Sequence, residues 1–255
     1  METIGILDWG IGGLDLNNKL AKNGYKTIYF SDAGYTPYGK VKASELKLRI
    51  EKCCLFLRDK GATKVAIACN AASTVLAAQN NVKGVIEFGI QSIKKLPTQT
   101  KIGIIGGKRT IESNVYPNSL NQYKITQNIA QKLSAYIEKG DTNSNSFHKD
   151  LSEIIKPFNN IDTLVLACTH YPSISKIIEE QFTHKIKLIN PTNEMCNWII
   201  DNWKNANEQQ QWFTTGCEKE LVIKGQKAFS TQFNEKVVKL NLLDFTTENE
   251  YLHKQ

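Results

Sequence analysis

Two stretches of the chain carry an apolar run straight into a cysteine: KVAIACNAAS at 64–73 and LVLACTHYPS at 164–173. A buried strand end gains nothing from being polar, so the abrupt change to Cys69 and Cys168 asks for a chemical reason. A cysteine that ends a strand and opens the next helix meets unpaired first-turn amides and the positive end of the helix dipole, which favours its thiolate. Each alone also reads as a small buried residue, because free cysteines are among the most buried types. Their occurrence at matched places favours chemistry. His170, two residues past Cys168, is placed to tune that thiol or relay its proton, or else to cap a loop. Asp8 ends the first apolar run (IGILD) as the cysteines end theirs, offering a carboxylate to the same place, unless it only bonds its own backbone before Gly10.

These groups need elements to position them, and the chain supplies them twice. TIGILDWGIGG (3–13) resembles KIGIIGGKRT (101–110), and 65 residues separate Ile4 from Cys69 against 66 from Ile102 to Cys168. The halves are thus offset by 98 to 99 residues. Short apolar runs alternating with helix-period segments indicate an α/β protein with mainly parallel sheets. Strands are expected at Thr3–Leu7, Lys26–Phe30, Lys64–Ala68, Lys101–Ile105, Thr163–Ala167 and Lys185–Ile189. Two further strands are expected in WFTTG (212–216) and KVVKL (236–240). Leu46, Ile50, Cys53, Cys54 and Leu57 recur at helical spacing, which gives Cys53 and Cys54 a packing role. Duplication implies two similar α/β domains related by a pseudo-twofold, facing each other across a cleft at the carboxyl ends of the strands. Residues 1–95 with 207–255 form the first domain and 96–206 the second, with one crossing near Lys94–Thr100 and a return near residue 206.

Composition limits the alternatives. At 255 residues, 41% hydrophobic and 22% charged, the chain suits one large or two smaller globular domains. No stretch approaches the roughly 18 apolar residues of a membrane span, and no basic leader precedes an apolar segment, so a cytoplasmic protein without membrane partner is expected. Six cysteines without a CxxC pair argue against both a disulfide framework and structural zinc. The net charge of +7 comes from scattered lysines, without a nucleic-acid recognition motif. DWGIGG (8–13) fails as a dinucleotide fingerprint: Asp15 stands where the third Gly or Ala belongs, and Asp32, 20 residues past Gly12, is weak support alone. Its glycines are expected to let backbone amides approach a small carboxylate.

With these residues assembled, the sequence resembles the glutamate racemases of the aspartate/glutamate racemase superfamily. The motifs that carry the resemblance are DWGIGGL (8–14), TPYG (36–39), ACNAAS (68–73), IESNVY (111–116), YIEKG (136–140), ACTHYP (167–172) and FTTGCE (213–218). The resemblance implies racemisation without cofactor or metal by two bases, one thiol on each face of the α-carbon, with their roles exchanged for the other enantiomer. It also implies interconversion of L- and D-glutamate for peptidoglycan synthesis and assembly as a homodimer. By the same resemblance Asp8 assists Cys69, while His170 and Glu138 assist Cys168. Asn70, Thr169, Pro37, Tyr38 and Gly39 match positions that hold the substrate's amino and carboxylate groups.

Three departures bear on substrate. Trp9 replaces the usual Ser, Ala71 the usual Thr, and Gly107 a common Thr. A lost hydrogen bond to a charged group costs about 1.5–3 kcal/mol, so two losses would weaken glutamate binding about a hundredfold or more. Three readings stay open: Trp9 points away and glutamate chemistry persists; the pocket suits aspartate or another amino acid; or the fold survives as a catalytically weak binding or regulatory protein.

Overall fold

A computed structural model describes residues 2–77, 79–204 and 209–242. Among the described residues, ten strands form two all-parallel sheets. In the first, β1 (Ile4–Asp8), β2 (Thr27–Ser31), β3 (Lys64–Ile67) and β4 (Val82–Gly84) stand in the order β2-β1-β3-β4. In the second, β5 (Lys101–Gly106), β6 (Lys124–Ile129), β7 (Thr163–Ala167) and β8 (Lys187–Ile189) stand as β6-β5-β7-β8. The order is the same in both, with β1 and β5 central. Register repeats too: Ile4 pairs with Lys64, and Ile102 with Thr163. The molecule is therefore two α/β domains with parallel sheets, as expected.

The first sheet is extended by β9 (Gln211–Thr214) beside β2 and β10 (Val237–Lys239) beyond it. The anticipated return of the chain near residue 206 lies outside the described residues, as does everything past residue 242. Strands β4 and β6 escaped the sequence reading. The first is only three residues long, and KITQNI presents half-exposed polar side chains at a sheet edge instead of an apolar run.

The twin Ile-Gly-Ile segments have one steric explanation. A Cβ on Gly5 would lie 3.1 Å from Ala62 Cβ and 3.2 Å from Leu57, and one on Gly103 would lie 2.7 Å from Ile161 and 2.8 Å from Phe158. In each half the central strand gives up a side chain so that the element before the third strand can pack flat against it. The two faces of the first sheet are both covered. Leu7, Ile28, Phe30, Val65 and Ile67 pack with Leu46, Ile50, Cys53, Cys54 and Leu57 of the helix Ala43–Asp59. Ile4, Ile6, Tyr29 and Ala66 pack with Leu16 and Leu20 of the helix Leu14–Lys22. Each such buried side chain contributes about 1.5–3 kcal/mol. Cys53 and Cys54 thus serve packing, and burial pushes the Cys54 thiol up to about 11.

Asp15, the residue that spoils the dinucleotide pattern, ties the halves together. It accepts from Asn190 Nδ2 at 2.8 Å and from Thr192 Oγ1, placing a carboxylate at the start of the helix Pro191–Asn202, where the helix dipole favours it. That helix packs Trp198 on Phe88 of the first half, ring centroids 5.6 Å apart. Among the described residues, no helix is long and apolar enough to cross a membrane.

Candidate active site

Both cysteines stand just past equivalent strands, Cys69 two residues after β3 and Cys168 one after β7. Their surroundings are not equivalent. Cys69 is 8% exposed and caps the short helix Asn70–Ser73 in an extended conformation. Amide N–H groups of Ala72 and Trp9 reach its sulfur, yet the thiol is pushed well up, first by burial and then by the charge of Asp8. The helix-start donors that sequence reasoning counted on are present and are outweighed. Cys168 is half-buried, with its Sγ 3.7 Å from His170 Nδ1.

Behind Cys168 runs a chain of polar groups. His170 Nε2 lies 2.7 Å from Glu138 Oε1, and Glu138 Oε2 is 3.6 Å from Lys224 Nζ, which also meets Glu220 at 2.8 Å. Burial alone would make His170 harder to protonate, but its bonds to Cys168 and Glu138 prevail and hold it well above the usual imidazole range. Burial pushes Glu138 up, and the bond and charge of His170, aided by Lys224 and the Ile11 amide, more than offset it, so the carboxyl sits below its ordinary range. The two shifts agree on an imidazolium–carboxylate pair. The helix Gln131–Lys139 positions Glu138 in its last turn, and Gly140 ends that helix at φ +67°, a left-handed conformation suited to glycine.

Asp8 is 1% exposed, and its carboxylate is bonded both within its own turn and across to the other half. Oδ1 accepts from its own backbone, the Gly10 amide, at 2.8 Å, and Oδ2 accepts from Thr169 Oγ1 of the other half at 3.0 Å. Burial raises its pKa, while His170, Gly10 and Thr169 moderate the rise. The glycines of DWGIGG were expected to leave their amides for a ligand. Gly10 spends its amide on Asp8, and Gly10 and Gly12 make room for the other half. A Cβ on Gly10 would lie 2.5 Å from Glu138 Oε1; one on Gly12 would collide with Thr169 Oγ1 and lie 3.0 Å from His170 Nδ1.

The remaining expected binding residues divide. Asn70 is 3% exposed, and its side-chain Oδ1 has no hydrogen-bond partner. A buried acceptor without a donor is costly and marks a place for one. Trp9 donates its indole N–H to Tyr35 O at 3.0 Å, and with Ala71 it lies half-buried on the cluster that includes Cys69. Pro37 is exposed and starts the 3-10 turn Tyr38–Lys40. The Tyr38 ring is turned inward, its hydroxyl donating to Asp32 Oδ2 at 2.8 Å, while its carbonyl accepts from Arg109 Nε of the other half at 2.9 Å. Gly39 follows it, half-buried. Beside Gly107, Gln131 Oε1 fills the space a side chain would take, 3.0 Å from an added Cβ, and accepts the Lys108 amide at 3.1 Å.

Sequence reasoning missed the support for that turn. Asp32, wholly buried past β2, pairs with Arg49 through Nε at 2.8 Å and Nη2 at 2.5 Å, and accepts from Thr215 Oγ1 at 2.9 Å. The available signal was its place: an acid at a strand's carboxyl end, as Asp8 is, with FTTG at the end of the neighbouring strand.

The two halves thus bring together two cysteines at equivalent strand ends, one beside Asp8 and the other beside the His170–Glu138 pair, in a duplicated parallel α/β frame. The model of the Asp/Glu/hydantoin racemase family matches residues 31–197. The chain is 32% identical over 212 residues to the glutamate racemase of Thermoanaerobacter sp. strain X514, covering 79% of this chain and 80% of that protein. The structure superimposes on glutamate racemase isoform RacE1 of Bacillus anthracis with TM-score 0.85 at 24% identity, covering 94% and 98% of the two chains. It superimposes on the glutamate racemase of Francisella tularensis, solved in complex with D-glutamate, with TM-score 0.83 at 24% identity and the same coverage. The chain belongs to the Asp/Glu/hydantoin racemase family, and so to the isomerases.

Proposed function

We propose that the protein interconverts L- and D-glutamate by a cofactor-independent two-base mechanism, with Cys69 and Cys168 on opposite faces of the α-carbon. The observation that carries this reading is the pair of thiols at repeated strand ends, one beside Asp8 and the other beside His170–Glu138. In one direction the Cys168 thiolate takes the α-proton while the Cys69 thiol delivers its own to the other face. The reverse direction exchanges these roles, and Asp8 and His170 return the thiols to their starting protonation. The unpartnered Asn70 Oδ1 suits the substrate ammonium, which brings three donors and no acceptor. We further take residues 1–95 with 207–255, and 96–206, as the two domains, and a cytoplasmic homodimer feeding D-glutamate to peptidoglycan synthesis as the setting; the name of the Thermoanaerobacter relative supports the substrate.

The test is α-proton exchange in deuterated water, without added cofactor, over a panel of amino acids. Glutamate should exchange fastest, and Cys69→Ala and Cys168→Ala should each abolish interconversion while the fold survives. Full racemisation by either variant overturns the two-base assignment. Trp9, Ala71 and Gly107 favour one second reading, a pocket reshaped for aspartate or another amino acid. It prevails if that substrate outruns glutamate.

A further inference from the structure

Arg109 is half-buried on the helix Lys108–Glu112, two residues beyond Gly107, and that helix packs against both the Tyr38–Lys40 turn and the helix Asn70–Ser73. Its Nε is committed to the Tyr38 carbonyl. Among the described residues no carboxylate pairs with it, whereas Arg49, the other arginine withdrawn from solvent, is bound through two nitrogens by Asp32. A guanidinium partly removed from water keeps its charge and calls for an anion. The other cations of the site are already committed: His170 is spent on Glu138 and Cys168, and Lys224 on Glu138 and Glu220, while Asp8 and Glu138 are themselves carboxylates. Trp9, Ala71 and Gly107 also lack the hydroxyls that the family resemblance would place there, and the Trp9 indole N–H is taken by Tyr35.

We propose that Arg109 is a specificity-determining residue whose free guanidinium nitrogens bind the side-chain carboxylate of the substrate, replacing the lost hydroxyls with one charged fork. The inference rests on the acidic-amino-acid racemase reading. Arg109 is tied to the Tyr38 carbonyl, and the comparison of glutamate with glutamine separates the side-chain carboxylate from the α-carboxylate, which both ligands share. Held by Tyr38 through Nε, the fork is oriented before substrate arrives, and a carboxylate accepts both remaining nitrogens in the geometry it prefers.

Kinetics of exchange with glutamate and with glutamine, which keeps the shape and lacks the charge, test this in the full chain. Arg109→Met should raise KM for glutamate about ten- to a hundredfold with kcat nearly unchanged, leave glutamine unaffected, and so erase the preference between them. Arg109→Lys should restore part of the glutamate affinity. Arg109→Gln keeps a donor for Tyr38 O and should behave as the Met variant does, which separates the charge from the strap. An unchanged KM for glutamate, or equal losses for glutamate and glutamine, overturns the proposal and leaves Arg109 a mere tie between the halves. If the unaltered protein exchanges no amino acid, the racemase reading fails by itself. Arg109 is then judged by thermal stabilisation with D-glutamate against D-glutamine, and equal stabilisation in the unaltered chain counts against it.

Discussion

Thr169→Val removes one hydroxyl and keeps the shape, and it isolates the link that crosses the cleft. In the folded protein Asp8 Oδ2 would lose its 3.0 Å bond while Oδ1 keeps the Gly10 amide. A hydrogen bond to a buried charged group is worth about 1.5–3 kcal/mol, and for a chain of this size that lowers Tm by roughly 3–12 °C at neutral pH. The loss should depend on pH in a definite sense. Asp8 has its folded-state pKa raised above 3.8, chiefly by burial, so the folded chain holds that proton more tightly than the unfolded one. Stability therefore falls as pH rises through the window between the unfolded and folded values, and above that window the full cost of a buried carboxylate applies. Removing the Thr169 donor raises the Asp8 pKa further, because that donor favours the charged form. The gap between variant and parent should thus be widest above that window and narrow on acidification through it. Calorimetric melts across pH measure it directly, with Thr169→Ser, which keeps the hydroxyl, as the control. A Tm loss that is the same at every pH, or a Ser variant that falls as far as Val, refutes the reasoning.

Gly12→Ala should cost about a hundredfold in exchange rate, since its Cβ would drive Thr169 and His170 off their positions and a misplacement near 1 Å has about that effect. Wild-type turnover from this variant would mean the two halves do not close as described. In Glu138→Gln, His170 loses the charge that holds it protonated, and the limb of the kcat/KM profile governed by His170 should move to lower pH. An unmoved limb would assign it to another group. Arg49→Met leaves the buried Asp32 without its guanidinium partner, with Tyr38, Thr215 and the Cys53 thiol still beside it; urea unfolding should show a loss of about 3–5 kcal/mol. Less than 1 kcal/mol would show that water reaches Asp32.

The central strands were legible because burial on both faces forces them to be continuous apolar runs. Thr163–Ala167 came out residue for residue, and β1, β2, β3 and β5 to within one. Edge strands obey a weaker rule, which is why Val82–Gly84 and Lys124–Ile129 did not stand out. Register was visible only through duplication: the 65 and 66 residue spacings become the matched pairings of Ile4 with Lys64 and Ile102 with Thr163. The positions of Cys69, Cys168, Asp8 and His170 followed from strand ends. Their partners did not, because Thr169 meeting Asp8, Arg109 meeting Tyr38 and Lys224 meeting Glu138 join residues separated by 161, 71 and 86 positions. No local pattern encodes such contacts. The direction of the Cys69 shift was illegible for a related reason: helix-start amides can be read from sequence, while the depth of burial that outweighs them cannot.

The duplicated halves support their thiols in crossed fashion. Asp8, from the first half, is held by Thr169 of the second; Glu138, from the second, receives the Ile11 amide at 3.5 Å and faces Lys224, whose helix Glu218–Phe229 packs on the first. Each acid thus has its environment completed by the opposite domain. Separating the two halves would free Asp8 from Thr169 and expose the His170–Glu138 pair to water, where such a pair is worth far less. The pKa shifts described for Asp8, Glu138 and His170 are in that sense properties of this arrangement of the two halves.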